Sequence, residues 1–461
     1  MSYFSLHNHT DEGSNTRLID TINRVNSLLN RAVELDLKGI AITDHESIGA
    51  HYSVEKYIKE KRKNSSPEEQ EKWKNFKYIL GNEIYLCRND LTKDNFSKEK
   101  DKFWHFILLS LDEMGHEQLR QLSTRAYQRS FVRNDMVRPY NTYEDLKNVI
   151  GENSGHIIGS TACLGSKLDN LILTGSNDDE LKSFINFMSD IFGEQNLFLE
   201  LQPSYQEEQI IVNKKLIELS HATGIKAIIT TDSHMLRKED LPLQRAFLNS
   251  KDGDREVDDF YSSAYLMNAE EIHEYLDEVI GYNEVEECLK NTLLIGNKVT
   301  EYSLSRPFKL PFMPDNRDTL KSLPLELKNN KYFNLFFNSE EESDRIFIKR
   351  IVDFMEKGDE WFNREFWFRP EAIDRLSTEL NYLWISSENQ KIKWTKYLLQ
   401  MADYINLIWE EGDSIIAPGR GSAVSETLNY MLGIIQINPL AEKAPMKPWR
   451  FINPERASIL D

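Results

Sequence analysis

Short β-rich runs alternate with helical segments over the first 235 residues, and this alternation constrains the fold more than any other feature of the sequence. Amphipathic or charged segments such as 20–36 and 205–222 stand between the runs. About seven β-α units favour a parallel sheet that closes into a barrel, because each helix can bury its apolar face on the sheet. The runs are 3–6, 39–43, 78–86, 103–111, 156–160, 197–201 and 227–231.

Side chains that bind transition metals recur just after these runs or, for Glu83 and His105, within them. Groups at strand ends of a β/α barrel meet at one mouth, where Zn²⁺ or Mn²⁺ accepts mixed nitrogen, oxygen and sulfur ligands. A lone histidine is usually a hydrogen-bonded residue, Cys163 alone suggests a small buried hydrophobe, and Asp232 could cap a helix. Five of the ten histidines share this placement, which makes coincidence the weaker explanation. The candidates are His7, His9, His45, Glu83, His105, Cys163, Asp232 and His234.

A glycine-rich loop, 418–423 (PGRGSA), lies near the other end of the chain between an apolar run and a helical segment. Glycines let the backbone approach an anion closely, while Arg420 and Ser422 add donors for a phosphate. The same letters suit an ordinary turn before a helix, so the loop alone leaves both interpretations open.

Composition limits the partners of the chain. The 461 residues include 56 Lys plus Arg and 75 Asp plus Glu, a formal charge of −19. Since nucleic-acid binding normally requires a basic face, any DNA contact should be local, metal-mediated or assisted by another basic region. The three scattered cysteines argue against a disulfide framework. No apolar run or signal peptide indicates a membrane or an export route, so we expect a cytoplasmic protein.

The pattern changes near residue 275. Segments 268–298, 342–358 and 371–409 are predicted helices, and the last 45 residues are rich in loops. We therefore predict a first domain at 1–275 and a second at 276–461.

The motifs LHNHT, GIAITDHES, GNE, WHFILL, STACLG and TTDSH resemble, in order and spacing, the PHP (polymerase and histidinol phosphatase) domain at the N-terminus of bacterial and phage replicative DNA polymerase III alpha subunits. The resemblance implies an α/β fold, a distorted seven-stranded β/α barrel, with up to three Zn²⁺ or Mn²⁺ ions and a metal-dependent 3′–5′ exonuclease. It also implies a ninth ligand after His9, for which Asp20 is favoured and Asp11 and Glu12 are alternatives. The implied ligand set is His7, His9, Asp20, His45, Glu83, His105, Cys163, Asp232 and His234.

PGRGSAVSETLNYMLGI, INPL and RFINPERAS resemble the palm of the same family. By this resemblance, 276–461 comprises linker helices and the first part of an α+β, nucleotidyltransferase-like palm. The residues implied to bind nucleotide are Gly419, Arg420, Gly421, Ser422 and Arg456.

In that family an Asp-x-Asp pair for catalytic Mg²⁺ follows the NPER segment, whereas this sequence stops at 461. We therefore expect no palm aspartates and no polymerisation by this chain alone. The expected partners are DNA primer-template, dNTP, a complementary C-terminal polymerase fragment and a sliding clamp, in a phage or bacterial host. Two alternatives remain: a stand-alone PHP metal phosphoesterase acting on small phosphates, and a non-catalytic assembly module.

Overall fold

A computed structural model describes residues 2–16, 20–97, 100–133, 136–250, 259–306, 318–441 and 446–455. The chain divides into two compact units, Met1–Arg306 and Pro307–Asp461. All seven predicted β-rich runs form strands in the first unit, and three short strands lie between the fourth and fifth runs. The strands are β1 (Phe4–Ser5), β2 (Gly39–Ile42), β3 (Lys77–Cys87), β4 (Trp104–Ser110), β5 (Phe131–Arg133), β6 (Met136–Arg138), β7 (Asn141–Thr142), β8 (Ile157–Ser160), β9 (Leu197–Leu201) and β10 (Ala227–Ile229).

The main sheet has the order β1-β2-β3-β4-β8-β9-β10, with β7 paired to β3. The predicted all-parallel arrangement is wrong at one strand, because β4 runs antiparallel to both β3 and β8. This reversal puts the start of β4, rather than its end, beside the carboxyl ends of the neighbouring strands. His105, the second residue of β4, thereby reaches the edge of the sheet that carries the other candidate ligands.

The two ends of the sheet approach each other just beyond β1 and β10. Asn8 and Ser233 form an isolated parallel bridge. In that bridge the His9 amide donates to the Ser233 carbonyl (3.1 Å), and the Ser233 amide donates to the His7 carbonyl (3.2 Å). The mixed α/β class and the distorted seven-stranded barrel are thus confirmed.

The helices of the first unit surround the sheet, and their inward faces carry Leu28, Val54, Leu119, Ile185 and Leu216. They bury these side chains against the outer face of the strands, which accounts for the amphipathic pattern of the sequence. The helices are α1 (Val25–Glu34), α2 (His51–Asn64), α3 (Pro67–Asn75), α4 (Glu113–Gln128), α5 (Tyr143–Val149), α6 (Lys167–Leu173), α7 (Asp178–Phe192), α8 (Glu207–Thr223), α9 (Leu241–Asn249), α10 (Ala269–Ile280) and α11 (Tyr282–Lys298).

The division at 306/307 differs from the predicted boundary at 275/276 because α10 and α11 pack onto the barrel. Ile272 and Leu276 of α10 lie in the barrel core, and the Tyr3 hydroxyl donates to the Met267 carbonyl just before this helix (2.8 Å). The Phe4 amide donates to the Thr292 hydroxyl of α11 (3.1 Å). Gly296 of α11 lies so close to the Phe4 ring that a Cβ there would come within 2.2 Å of it. Both helices therefore belong to the first unit.

The second unit consists of helices around a core that includes Phe333, Phe347, Trp367 and Leu380. Within 318–441 and 446–455 no strand forms, although an α+β palm was expected. The apolar run 415–417 shows why: it has no neighbouring strand with which to pair, and Ile415 is 87% exposed. The helices are α12 (Lys331–Phe337), α13 (Glu342–Lys357), α14 (Arg364–Trp367), α15 (Pro370–Gln390), α16 (Trp394–Glu410) and α17 (Thr427–Met431).

Among the described residues, no helix combines the length and the apolar character that crossing a membrane would require.

Candidate metal centre

The His-x-His pair that follows β1 is held in place by the residue between its two histidines. The Asn8 amide donates to the Thr43 hydroxyl (2.9 Å), and the Asn8 side chain donates to the Ala41 carbonyl (2.9 Å). Since alternate residues of an extended chain face the same side, His7 and His9 point together into the mouth of the barrel, with their Nε2 atoms 3.1 Å apart.

The structure brings all eight of the strand-end candidates together. Their ligand atoms form three groups within which every pair of atoms lies within 4.8 Å. The groups are His9, His45 and His234; His7, His9 and Asp232; and Glu83, His105 and Cys163.

These groups are joined, because His9 belongs to two of them and Glu83 of the third lies close to His9. Asp232 Oδ1 lies 3.1 Å from His7 Nε2 and 2.9 Å from His9 Nε2. Glu83 Oε1 lies 2.7 Å from His105 Nδ1, while Glu83 Oε2 lies 3.6 Å from His9 Nε2 and also contacts His45 Nδ1. The three groups therefore form one continuous cluster.

Asp20, the favoured candidate for the ninth ligand, lies beside this cluster. Its Oδ2 lies 3.0 Å from His45 Nε2 and 3.9 Å from His234 Nε2. Asp11 and Glu12, the alternatives, line a different cavity together with Arg24 and other residues of α1 and α2. The geometry favours Asp20 as the ligand on this side of the cluster.

Burial shapes the pKa values of the cluster. Burial lowers the pKa of His9 to about 3, assisted by the charges of His45 and His234, so its ring nitrogens remain available as ligands. Burial opposes ionisation of Glu83, but His105 and His45 outweigh it and hold the Glu83 pKa well below its usual range. Burial, reinforced by Asp232 and Glu83, raises the pKa of the Cys163 thiol. A cation bound by Cys163 would therefore displace the thiol proton.

The residues present fit a cationic cofactor. Asp20 Oδ1 is buried and finds no hydrogen-bond partner among the described residues. Unsatisfied lone pairs in a buried site cost free energy, and a cation would satisfy them. Nitrogen, oxygen and sulfur donors together suit a borderline ion such as Zn²⁺ or Mn²⁺.

Two carboxylates outside the predicted ligand set support the cluster. Glu200 Oε1 lies 2.6 Å from His7 Nδ1, and the carboxylate also accepts hydrogen bonds from the Thr230 and Ser160 hydroxyls (2.6 Å each). Asp44 accepts from the Ser14 hydroxyl (2.9 Å), which in turn lies 3.1 Å from His9 Nδ1.

Carboxylates in such positions fix the orientation of ligand imidazoles. The sequence held one signal of this role, because Glu200 is a charged residue within β9, which is otherwise apolar.

The glycine-rich loop lies in the second unit. Gly421 has φ 64°, and a Cβ at Gly419 would lie 2.5 Å from Val424 Cγ1, so both positions favour glycine. Arg420 and Ser422 are exposed, and Arg456 lies outside the described residues.

Two residues of α15 anchor the chain that follows this loop. The Arg375 guanidinium donates to the Ser425 carbonyl (2.5 Å), and Glu379 accepts from the Thr427 and Leu428 amides (2.9 Å each). The segment that follows the exposed loop is thus held to α15 by hydrogen bonds.

Residues 5–204, which carry all the candidate ligands except Asp232 and His234, match the PHP domain family. Residues 351–461 match the family described as the bacterial DNA polymerase III alpha NTPase domain. The resemblance to the PHP domain and following segment of polymerase III alpha subunits is therefore confirmed.

Individual relatives extend this result to nearly the whole chain. The chain is 37% identical, over 99% of its length, to the probable DNA polymerase YorL of Bacillus subtilis and to the DNA-directed DNA polymerase of Bacillus phage SPbeta. It is 26% identical, over its full length, to the DNA polymerase III subunit alpha of Borreliella burgdorferi. The chain spans only 35–36% of the length of these relatives.

A solved structure, a putative metal-dependent phosphoesterase from Bifidobacterium adolescentis, aligns with 61% of this chain and 98% of its own at 12% identity. Its TM-score of 0.32 is too low to support any conclusion.

Proposed function

We propose that this chain is a polymerase III alpha-type protein of DNA replication whose PHP barrel is a metal-dependent 3′–5′ exonuclease. The observation that carries the proposal is the convergence of nine nitrogen, oxygen and sulfur donors on one buried cluster at the barrel mouth. Zn²⁺ or Mn²⁺ bound there would supply Lewis-acid activation of a phosphodiester and a hydroxide at neutral pH.

The residues of the chain would divide the work as follows. His9, His45 and His234, with Asp20, would hold cation on one side of the cluster, and Glu83, His105 and Cys163 on the other. Glu200 would keep His7 in the orientation that directs Nε2 into the cluster. The buried walls would exclude bulk water from the scissile bond.

In the second unit we propose that Gly419, Arg420, Gly421 and Ser422, helped by Arg456, bind the triphosphate of an incoming nucleotide. The match of residues 351–461 to the polymerase family supports this assignment. DNA primer-template, dNTP and Mg²⁺ are the proposed substrates and cofactor of the polymerase. A complementary polymerase fragment and a sliding clamp are the proposed partners. The same match favours replication over a phosphatase for small substrates, which needs no nucleotide-binding palm.

Digestion of 3′-labelled single-stranded DNA with added Mn²⁺ or Zn²⁺ tests the exonuclease. We expect stepwise shortening from the 3′ end by the wild type, and its loss in His9→Ala, because His9 belongs to two of the three ligand groups. His221→Ala is the matched control, since this histidine is 64% exposed and pairs with Glu284 on the surface.

Absence of cleavage with every metal, in protein shown by elemental analysis to contain bound ion, would contradict the exonuclease and leave the assembly role. Equal cleavage by His9→Ala and the wild type would place the activity elsewhere.

A further inference from the structure

The ligand cluster is open to solvent on one side. The His105 side chain is 25% exposed, whereas the other imidazole and carboxylate ligands are at most 9% exposed. A polymeric substrate must therefore pass His105, and the side chains around this residue are the first that it would meet.

Two lysines from different chain segments lie near the indole ring of Trp104, the residue next to His105. Lys102 Nζ lies 5.2 Å and Lys167 Nζ lies 5.0 Å from the centroid of the indole ring. Both distances are within the range of cation–π attraction. Lys102 is exposed, and Trp104 and Lys167 are half-buried. In the described part of the chain, no carboxylate forms an ion pair with either ammonium group, so both charges are available to an anion.

The two lysines are tied to the metal centre through the backbone. Lys102 lies three residues before His105, and Lys167 lies four residues after Cys163. Each lysine is therefore on the same chain segment as one candidate ligand. The His105 amide donates to the Gly165 carbonyl (3.1 Å), which joins the two segments. Because successive residues of a strand face opposite sides, the Trp104 ring lies on the outer face of β4 at the rim of the mouth.

We propose that Lys102 and Lys167, held by the Trp104 ring, bind phosphates of the single DNA strand whose 3′ end lies in the metal cluster. Trp104 is a positioning residue, and the phosphates concerned lie outside the mouth, upstream of the scissile bond. The proposal rests on the proposed exonuclease function. The net charge of −19 argues against DNA binding through a general basic face. A local pair of ammonium groups, without ion-pair partners among the described residues, would supply the contact instead.

Fluorescence anisotropy with a 5′-labelled single-stranded oligonucleotide, in excess EDTA to prevent cleavage, measures this contact directly. We expect Lys102→Gln and Lys167→Gln each to weaken Kd several-fold. Each should also reduce the slope of log Kd against log salt by about 0.7, the contribution of one phosphate contact on a single strand. Lysine-to-arginine variants should retain the wild-type slope. Lys214→Gln, an exposed lysine on α8, is the control.

Trp104→Leu tests the positioning role and Trp104→Phe should restore it, because phenylalanine keeps an aromatic face for the ammonium groups. Trp361→Leu, at a 61% exposed tryptophan of the second unit, is the matched control. Wild-type Kd and salt slope in both lysine variants would overturn the proposal, even if Trp104→Leu proved unfolded by circular dichroism.

The two proposals can fail separately. Loss of DNA binding in the lysine variants without any metal-dependent cleavage by the wild type would preserve the strand contact and remove the exonuclease. Cleavage that His9→Ala abolishes, combined with unchanged binding by the lysine variants, would support the exonuclease and remove the strand contact.

Discussion

At the scale of single residues, the site depends on carboxylates that contact no substrate. Glu200 accepts hydrogen bonds inside the barrel from His7 and from the hydroxyls of Thr230 and Ser160. These contacts fix which His7 nitrogen faces the cluster. The ligand set alone would leave that choice open, since either imidazole nitrogen can bind a cation.

We expect Glu200→Gln to lower the affinity of the site for Zn²⁺ or Mn²⁺ by about 10- to 100-fold, the usual cost of losing a carboxylate behind a ligand histidine. Competition with a chromophoric chelator measures this affinity. Glu208→Gln, at an exposed position of α8, is the control. An unchanged affinity in Glu200→Gln would show that the strand geometry alone orients His7.

At the scale of elements, α2 and α4 meet through a buried histidine pair outside the metal cluster. His51 Nδ1 lies 3.0 Å from His116 Nε2, and His51 Nε2 lies 2.8 Å from the Gly81 carbonyl of β3. Burial lowers the pKa of His51 to about 3, with a further contribution from His116, and burial lowers that of His116 to about 4. Both rings are therefore neutral in the folded protein near neutral pH.

This pair predicts acid sensitivity of the barrel. Because the pKa of each histidine is lower in the folded state than in the unfolded state, the folded protein binds fewer protons in this range. The contribution of the pair to stability is therefore complete above the ordinary pKa of 6.5 and is lost as the pH falls from 6.5 towards 4. Chemical denaturation of the wild type and of His116→Phe, across this range and in EDTA, measures the effect. The variant should lose less free energy of unfolding on acidification. Parallel pH profiles for both proteins would count against a role for the pair.

At the scale of the whole molecule, the ligands of the metal centre all come from the first unit, while the second unit has its own core. An ion that binds only the native state stabilises the unit that holds it, in proportion to the logarithm of its concentration over Kd. The two units should therefore respond differently to metal removal.

We expect chelation to lower the unfolding temperature of the first unit and to leave that of the second unchanged. Hydrogen exchange of barrel peptides reports the first unit. Tryptophan fluorescence reports mainly the second, which holds six of the eight tryptophans. If chelation shifted the fluorescence transition as much as the barrel transition, the expectation that the two units respond differently to metal removal would be wrong.

The sequence alone determined the features that depend on local pattern. Apolar runs of strand length predicted all seven main strands, and side chains with metal-binding chemistry in or just after them predicted eight candidate ligands that the structure brings together. Such signals are readable because periodicity and ligand chemistry are properties of neighbouring residues.

Only the tertiary structure decided the features that depend on distant partners. Strand direction depends on pairing, so the reversal of β4 was invisible in a run that reads the same either way. Asp20 contacts His45, which its position in the sequence could not show, and α10 belongs to the first unit because Ile272 and Leu276 join the barrel core. The apolar run at 415–417 has no partner strand in the described part of the chain, and a strand forms only where another can satisfy its backbone hydrogen bonds.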